Sequence, residues 1–200
     1  FLCVLLSRLY LRARPDVEPA EYHAFILISA SGMALLAAAN DLVNVFLGIE
    51  LLSIPLYLLA TMRRGQSRSI EAGLKYLLLG AFASSFLLFG MGLLFITHDR
   101  TLIDHLATRI GGGLAAFGCV MLLVGLLFKV GAVPFHMWTP DVYEGSPTPV
   151  TAFMATATKA AMLVALLRFA PILAAGLGPR HAPQVLSGIA ILTMFVGNLG

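Results

Sequence analysis

The 200 residues are 59% hydrophobic, with a mean hydropathy of +0.91, and only 12% are charged, against about 25% in a soluble domain, which excludes a water-soluble globular fold. The formal charge of +3 says less than its distribution: the ten arginines, from Arg8 to Arg180, lie at or near the ends of apolar runs, whereas the three lysines, Lys75, Lys129 and Lys159, lie inside them. The two cysteines, Cys3 and Cys119, stand in apolar surroundings without CxxC spacing, so the chain offers no framework for an iron–sulfur cluster, a c-type haem or a zinc site.

The apolar runs are about 18–25 residues long, which suits helices crossing a hydrocarbon core of about 30 Å and not the ten-residue alternation of a membrane barrel. The expected class is therefore all-α and polytopic, a single transmembrane domain over residues 1–200. Residues 1–11 read as the end of a helix, and 12–21, with Pro15 and Pro19, as a polar loop. Spans follow at 22–39 and 42–62, the second opened by Asp41 as a helix cap and holding Glu50 and Pro55. The basic loop MRRGQSRS (62–69) leads to a third span, 69–97, with Glu71 and Lys75. A mixed polar connection, 98–113, precedes a fourth span, 114–138, holding Lys129, Gly131 and Pro134. The acidic loop 139–149 leads to a fifth, 150–168, with Lys159 near its middle. The stretch 171–183 connects to a further helix that starts at 184 and reaches the last residue. With no initiator Met or signal-peptide pattern at Phe1 and an apolar run at Gly200, the chain is expected to be an internal portion of a longer protein.

Arginine-rich loops collect on the cytoplasmic side. The alternation puts Arg8, Arg12, Arg14, Arg63, Arg64 and Arg68 on one face and Arg100, Arg109, Arg168 and Arg180 on the other, so the 63–68 loop, and with it 139–149, is expected to be cytoplasmic.

A lysine inside a hydrophobic span costs about 2.5–3.5 kcal/mol on insertion scales, so intramembrane ionisable groups point to function. Arginine keeps its proton in proteins, while a buried lysine can release one near neutrality. Fixed charges thus sit at the interfaces and removable ones within the spans. Glu50, nine residues past Asp41, and Lys159, ten past Pro149, both fall near the bilayer middle at 1.5 Å per residue. Gly131 and Pro134 either open the helix beside Lys129, lining a polar cavity, or simply start the next loop. Glu71 and Lys75 have i, i+4 spacing for an ion pair on one helix face, and Lys75 is alternatively placed to meet Glu50 on the neighbouring helix. His136 and Trp138 are candidates for proton entry or for interfacial anchoring, while Asp141 and Glu144 suit a structured turn and not a metal site.

Three stretches resemble a known family: GIELLSIPLYLL (48–59), EAGLKYLLLGAFASSFLLFG (71–90) and FKVGAVPFHMWTPDVYEGSPTPVTAFMATATKAA (128–161). They are similar to the antiporter-like membrane subunits of bacterial proton-pumping NADH-quinone oxidoreductase, respiratory complex I. PDVYEG and Lys159, where related subunits carry PDAH and then a histidine-bearing helix, favour the subunit N type. The resemblance implies an antiporter-like helix bundle with one five-helix repeat and a discontinuous helix. It implies a non-redox, translocase role in which Glu50 and Lys75 form a charge-coupled pair, Lys129 is the central lysine on the broken helix and Lys159 leads toward a second repeat. It further implies no cofactor in this chain, with NAD, FMN, iron–sulfur clusters and quinone in other subunits. The implied partners are neighbouring membrane subunits and the lipid bilayer, with no nucleic acid, in a bacterial inner membrane. The rival class is a subunit of a multisubunit cation/proton antiporter, which three lysines against one deep carboxylate disfavour, since hard cations need several oxygen ligands.

Overall fold

The structure, a computed structural model, describes residues 2–15, 17–63, 65–109 (the Arg109 side chain excepted) and 111–199. Arg64 of the basic loop and the Arg109 side chain, both assigned to loops above, lie outside the described residues. Among the described residues every extended element is a helix, because long apolar runs leave no water to satisfy the backbone and a helix satisfies it internally. In order they are α1 (Leu2–Arg12), α2 (Pro19–Ala38), α3 (Leu42–Ala60), α4 (Ser67–His98), α5 (Ile103–Arg109), α6 (Gly113–Val130), α7 (Thr139–Gly145), α8 (Thr148–Ala155), α9 (Ala157–Leu177) and α10 (His181–Gly197). Among the described residues five stretches are long and apolar enough to cross a membrane: α2, α3, α4, α6, and α8 with α9 taken together as Thr148–Leu177.

Local chemistry sets the ends. Pro19 occupies the first turn of α2, where its missing N–H leaves no bond unmade. Asp41 caps α3, its carboxylate accepting from the Val43 N–H at 2.8 Å. The connection after α4 is more ordered than a polar linker: it holds α5, and its start pairs with the α2–α3 turn through Leu42 N to Thr101 O at 2.9 Å and Ile103 N to Asn40 O at 3.1 Å. The Thr101 hydroxyl donates to the Asp41 carboxylate and the Asn40 amide to Asp104 at 2.8 Å, so one end of the bundle is tied by side chains as well.

Two expected boundaries move. The fourth span ends at Val130 and not at 138, with α7 as a separate short helix beyond it. The fifth continues past Arg168 to Leu177 with Pro171 inside it, and only 178–180 connect it to α10. Pro171 removes one backbone bond, but Phe169, Ile172 and Leu173 around it are fully buried, and that packing carries the helix through. A one-residue interruption at Thr156 (φ −116°, ψ −77°) separates α8 from α9.

α4 lies along α6, and α2 along α3. Apolar helices gain little by leaving lipid for each other, so they associate by close packing of small residues. At the α4–α6 crossing a Cβ on Gly90 would fall 2.6 Å from the Leu122 backbone N and 2.7 Å from the Gly118 carbonyl oxygen. Two residues on, Gly92 has nothing within 4 Å of the same position. Gly90→Ala is therefore expected to destabilise the bundle by about 1–3 kcal/mol through overpacking. Gly92→Ala should be neutral or stabilising by up to about 1 kcal/mol. Thermal unfolding of the full-length protein in detergent, followed by circular dichroism, compares the two; equal melting temperatures would contradict this crossing.

Candidate functional site

The break after α6 builds the site. Gly131 takes a left-handed conformation (φ 76°) that side chains other than glycine adopt only with strain, and its N–H reaches the carbonyls of Leu127 and Phe128, each at 3.0 Å. The Ala132 N–H bonds back to Leu127 O at 3.0 Å, which closes the helix end. Residues 131–138 then form irregular turns, and the Trp138 indole N–H donates to Phe128 O at 3.0 Å, folding the segment back under α6. Lys129 is thus the next-to-last residue of its helix, which ends before Gly131 and gives way to the turns that contain Pro134.

The Lys129 side chain is 5% exposed. Its ammonium donates to Ser53 Oγ and to the Tyr57 hydroxyl oxygen, each at 3.1 Å, and lies 3.5 Å from Glu50 Oε1. Glu50, Ser53 and Tyr57 follow one another at i, i+3 and i+7, a polar stripe along the largely apolar α3. Glu50 is held from the other side by the Ser84 hydroxyl of α4 at 2.5 Å, and Ser53 donates its own proton to Ile49 O at 2.7 Å. The carboxylate contact is the longest of the three, so hydroxyl oxygens provide the nearest solvation of the ammonium. A hydroxyl can donate as well as accept, and Tyr57 can therefore turn its proton toward a neutral amine. The pocket is chemically able to hold the lysine with or without its proton.

An aromatic series leads away from this pocket. The Lys129 ammonium stands 5.7 Å from the Tyr57 ring centre, Tyr57 meets Tyr76 edge-on at 4.8 Å, and Tyr76 stacks on Trp138 at 4.7 Å. Trp138 meets Tyr143 edge-on at 6.3 Å, and the Lys159 ammonium stands 5.7 Å from the centre of the Tyr143 ring. Trp138, expected at an interface or as an entry group, is 3% exposed and lies in the core. Among the described residues His136 Nδ1 is buried without a hydrogen-bond partner.

Lys75 corrects an expectation. It does not meet Glu50; it pairs with Glu71 at 2.7 Å, the i, i+4 alternative, and with Asp141 of α7 at 2.5 Å. The reason is axial: Glu50 sits level with Ser84, nine residues and about 13–14 Å further along α4. Arg68 pairs with Glu144 at 3.1 Å, so the 62–69 and 139–149 segments share one end of the bundle, around an open pocket of about 190 Å³. Asp141, which sequence reasoning left as part of a turn, is thus the counter-ion that fastens α7 to α4. Ser53, Tyr57 and Ser84 were missed as site residues; the helical spacing of the first two from Glu50 was the available signal. Among the described residues no group of three or more His, Cys, Asp or Glu is arranged to hold a metal ion.

Fold and site together define a multi-pass, all-helical membrane protein with a buried lysine–carboxylate centre at the end of one helix. The family model for NADH:quinone oxidoreductase/Mrp antiporter, transmembrane, matches residues 39–200, and the chain belongs to that family. NADH-quinone oxidoreductase subunit N of Trichlorobacter lovleyi is 45% identical, the match covering 98% of this chain and 41% of that protein. In respiratory complex I from Thermus thermophilus with bound aureothin, a chain 44% identical superposes with a TM-score of 0.76 over 90% of this chain and 38% of that one. An archaeal membrane-bound sulfane sulfur reductase contains a chain 25% identical, TM-score 0.76, over 83% of this chain and 34% of that one. The chain thus spans between about a third and two-fifths of the length of these relatives.

Charge exchange tests the corrected pairing. Lys75→Glu, which places a third carboxylate beside Glu71 and Asp141, should lower the amount of assembled protein, and adding Asp141→Lys should restore it, whereas adding Glu50→Lys should not. Restoration by Glu50→Lys instead would return Lys75 to Glu50.

Proposed function

We propose that this chain is the proton-translocating membrane portion of a complex I-type NADH-quinone oxidoreductase, corresponding to part of its subunit N, in a bacterial inner membrane. Family membership and the names of the bacterial relatives support the assembly. The observation that carries the reading is the ammonium of Lys129, removed from solvent and solvated by Ser53, Tyr57 and Glu50 in a pocket suited to both of its protonation states. In this reading the chain is a non-redox part of a translocase: NAD, FMN, iron–sulfur clusters and quinone belong to other subunits, and their redox energy reaches this chain through neighbouring membrane subunits. The membrane-crossing stretches form one five-helix repeat whose discontinuous helix is α6 with α7, and the 63–68 and 139–149 loops face the cytoplasm. Lys129 is the central proton carrier, Glu50 sets the charge it feels, and Lys159 passes protons toward the rest of the subunit. Lys75 works at the α4–α7 junction, where its ion pairs hold the segment that folds under α6. A cation/proton antiporter is the weaker reading, because Glu50 is the described carboxylate in this pocket and it is already engaged by Ser84 and Lys129.

The test is the proton gradient per NADH oxidised by the whole complex in vesicles. Lys129→Ala should lower it strongly, and Lys129→Arg should not rescue it because arginine keeps its proton. Glu50→Gln should lower pumping while leaving assembly intact, since the neutral amide still accepts from Ser84. Normal pumping by Lys129→Arg would make Lys129 a structural cation and sink the assignment.

A further inference from the structure

α9 carries a charge that the bundle leaves unanswered. Arg168 lies inside the membrane-crossing stretch Thr148–Leu177, about 13–14 Å along the axis from Lys159 and as far from Leu177 at 1.5 Å per residue. The Cys119 thiol reaches the Ile172 carbonyl oxygen at 3.7 Å, whereas the Lys159 ammonium lies beside Gly131 at the other end of α6. The two helices are therefore antiparallel, and Arg168 stands one turn further in than Ile172, within the hydrocarbon region and not at its edge.

Its Nη1 is buried with no hydrogen-bond partner among the described residues. The ion pairs that those residues form engage Arg68, Lys75 and Lys129, and Arg168 is in none of them. A guanidinium keeps its charge in proteins and has donors but no acceptor, so once withdrawn from water it requires oxygen ligands.

The packing of α9 gives the side from which they come. One turn away in one direction around the helix, Ala165 and Ile172 are buried against the bundle; in the other direction, Val164 and Pro171 are exposed. Arg168 stands on the line between these faces and is itself only half-buried, so part of its side chain is open to whatever packs on α9. The open face continues through Leu163 and through Leu167, which is 73% exposed. Lipid tails offer no acceptor and lipid phosphates lie beyond the hydrocarbon core, so the missing oxygens belong to protein. A carboxylate is the complement, since it neutralises the guanidinium and accepts two parallel hydrogen bonds from it. The relatives that match this chain are more than twice its length, so a full-length subunit brings further segments to this face, tethered at high effective concentration.

We propose that Arg168 is one half of an intramembrane ion pair, whose other half is an aspartate or glutamate on a helix of the same full-length subunit packed over Val164, Leu167 and Pro171. The pair fixes the register of that helix against α9, because sliding either one strands a charge where there is no water. Arg168 is a positioning residue in this arrangement, and the inference does not depend on the roles of Lys129 or Lys159 in proton transfer.

The test combines a high-resolution map of the assembled complex with variants of the full-length subunit. The map should show a carboxylate of the same subunit within ion-pair distance of the Arg168 guanidinium. Arg168→Met, which strands that carboxylate, should lower the amount of assembled subunit several-fold. Combining Arg168→Met with the amide variant of the carboxylate should restore assembly, because neither charge is then left alone. A map in which Arg168 meets a lipid phosphate, another subunit, water or main-chain carbonyls overturns the proposal whether or not the variants assemble. So does wild-type assembly of Arg168→Met, and so does a double variant that assembles no better than Arg168→Met alone.

Discussion

An ammonium group withdrawn from water must be solvated by the protein, and the arrangement around Lys129 follows from that requirement. A full ionic partner in direct contact would hold the charge in place, because separating a well-made buried pair strands the other charge. Here two hydroxyls are the near neighbours and the carboxylate stands back at 3.5 Å, itself held by a serine from the next helix. The carboxylate still forms an ion pair with the lysine, so the charge is balanced within the span. Three helices must keep their register for this to work: α3 supplies the stripe, α4 supplies Ser84, and α6 must end where it does.

The ending of α6 is itself a product of longer-range contacts. Gly131 permits the left-handed turn, but Trp138 directs the chain afterwards, by bonding the Phe128 carbonyl and stacking on Tyr76. α7 is then fastened to α4 by Lys75 with Asp141 and Arg68 with Glu144. The Lys75 cluster, some 13–14 Å from the Glu50 level, is joined to the Lys129 region by the backbone between α6 and α7 and by the aromatic series, with no direct charge contact.

Much of this was legible in the residues, and the failures have physical causes. Apolar runs of membrane-crossing length and lysines inside them show the all-helical class and the candidate residues, because both are local properties. Asp41 as a cap and the break near Gly131 were equally readable, since capping and positive φ are chemistry of one or two residues. The partner of Lys75 was not: counting residues gives depth along one helix, but pairing depends on how far adjacent helices slide, and α4 places Ser84, not Lys75, opposite Glu50. Asp141 was passed over because its role exists only once α7 folds back onto α4. Pro171 misled for the opposite reason, a strong local signal overridden by buried neighbours on both sides.

The central claim is that Lys129 gives up and regains its proton inside a pocket of hydroxyls and one carboxylate. The direct measurement is the 15N spectrum of the Lys129 side chain in the lysine-labelled, assembled complex, identified by difference from Lys129→Arg and recorded at rest and during NADH oxidation. The account predicts that a neutral-amine signal appears or grows during turnover. An ammonium signal that is the only form in both states would contradict it.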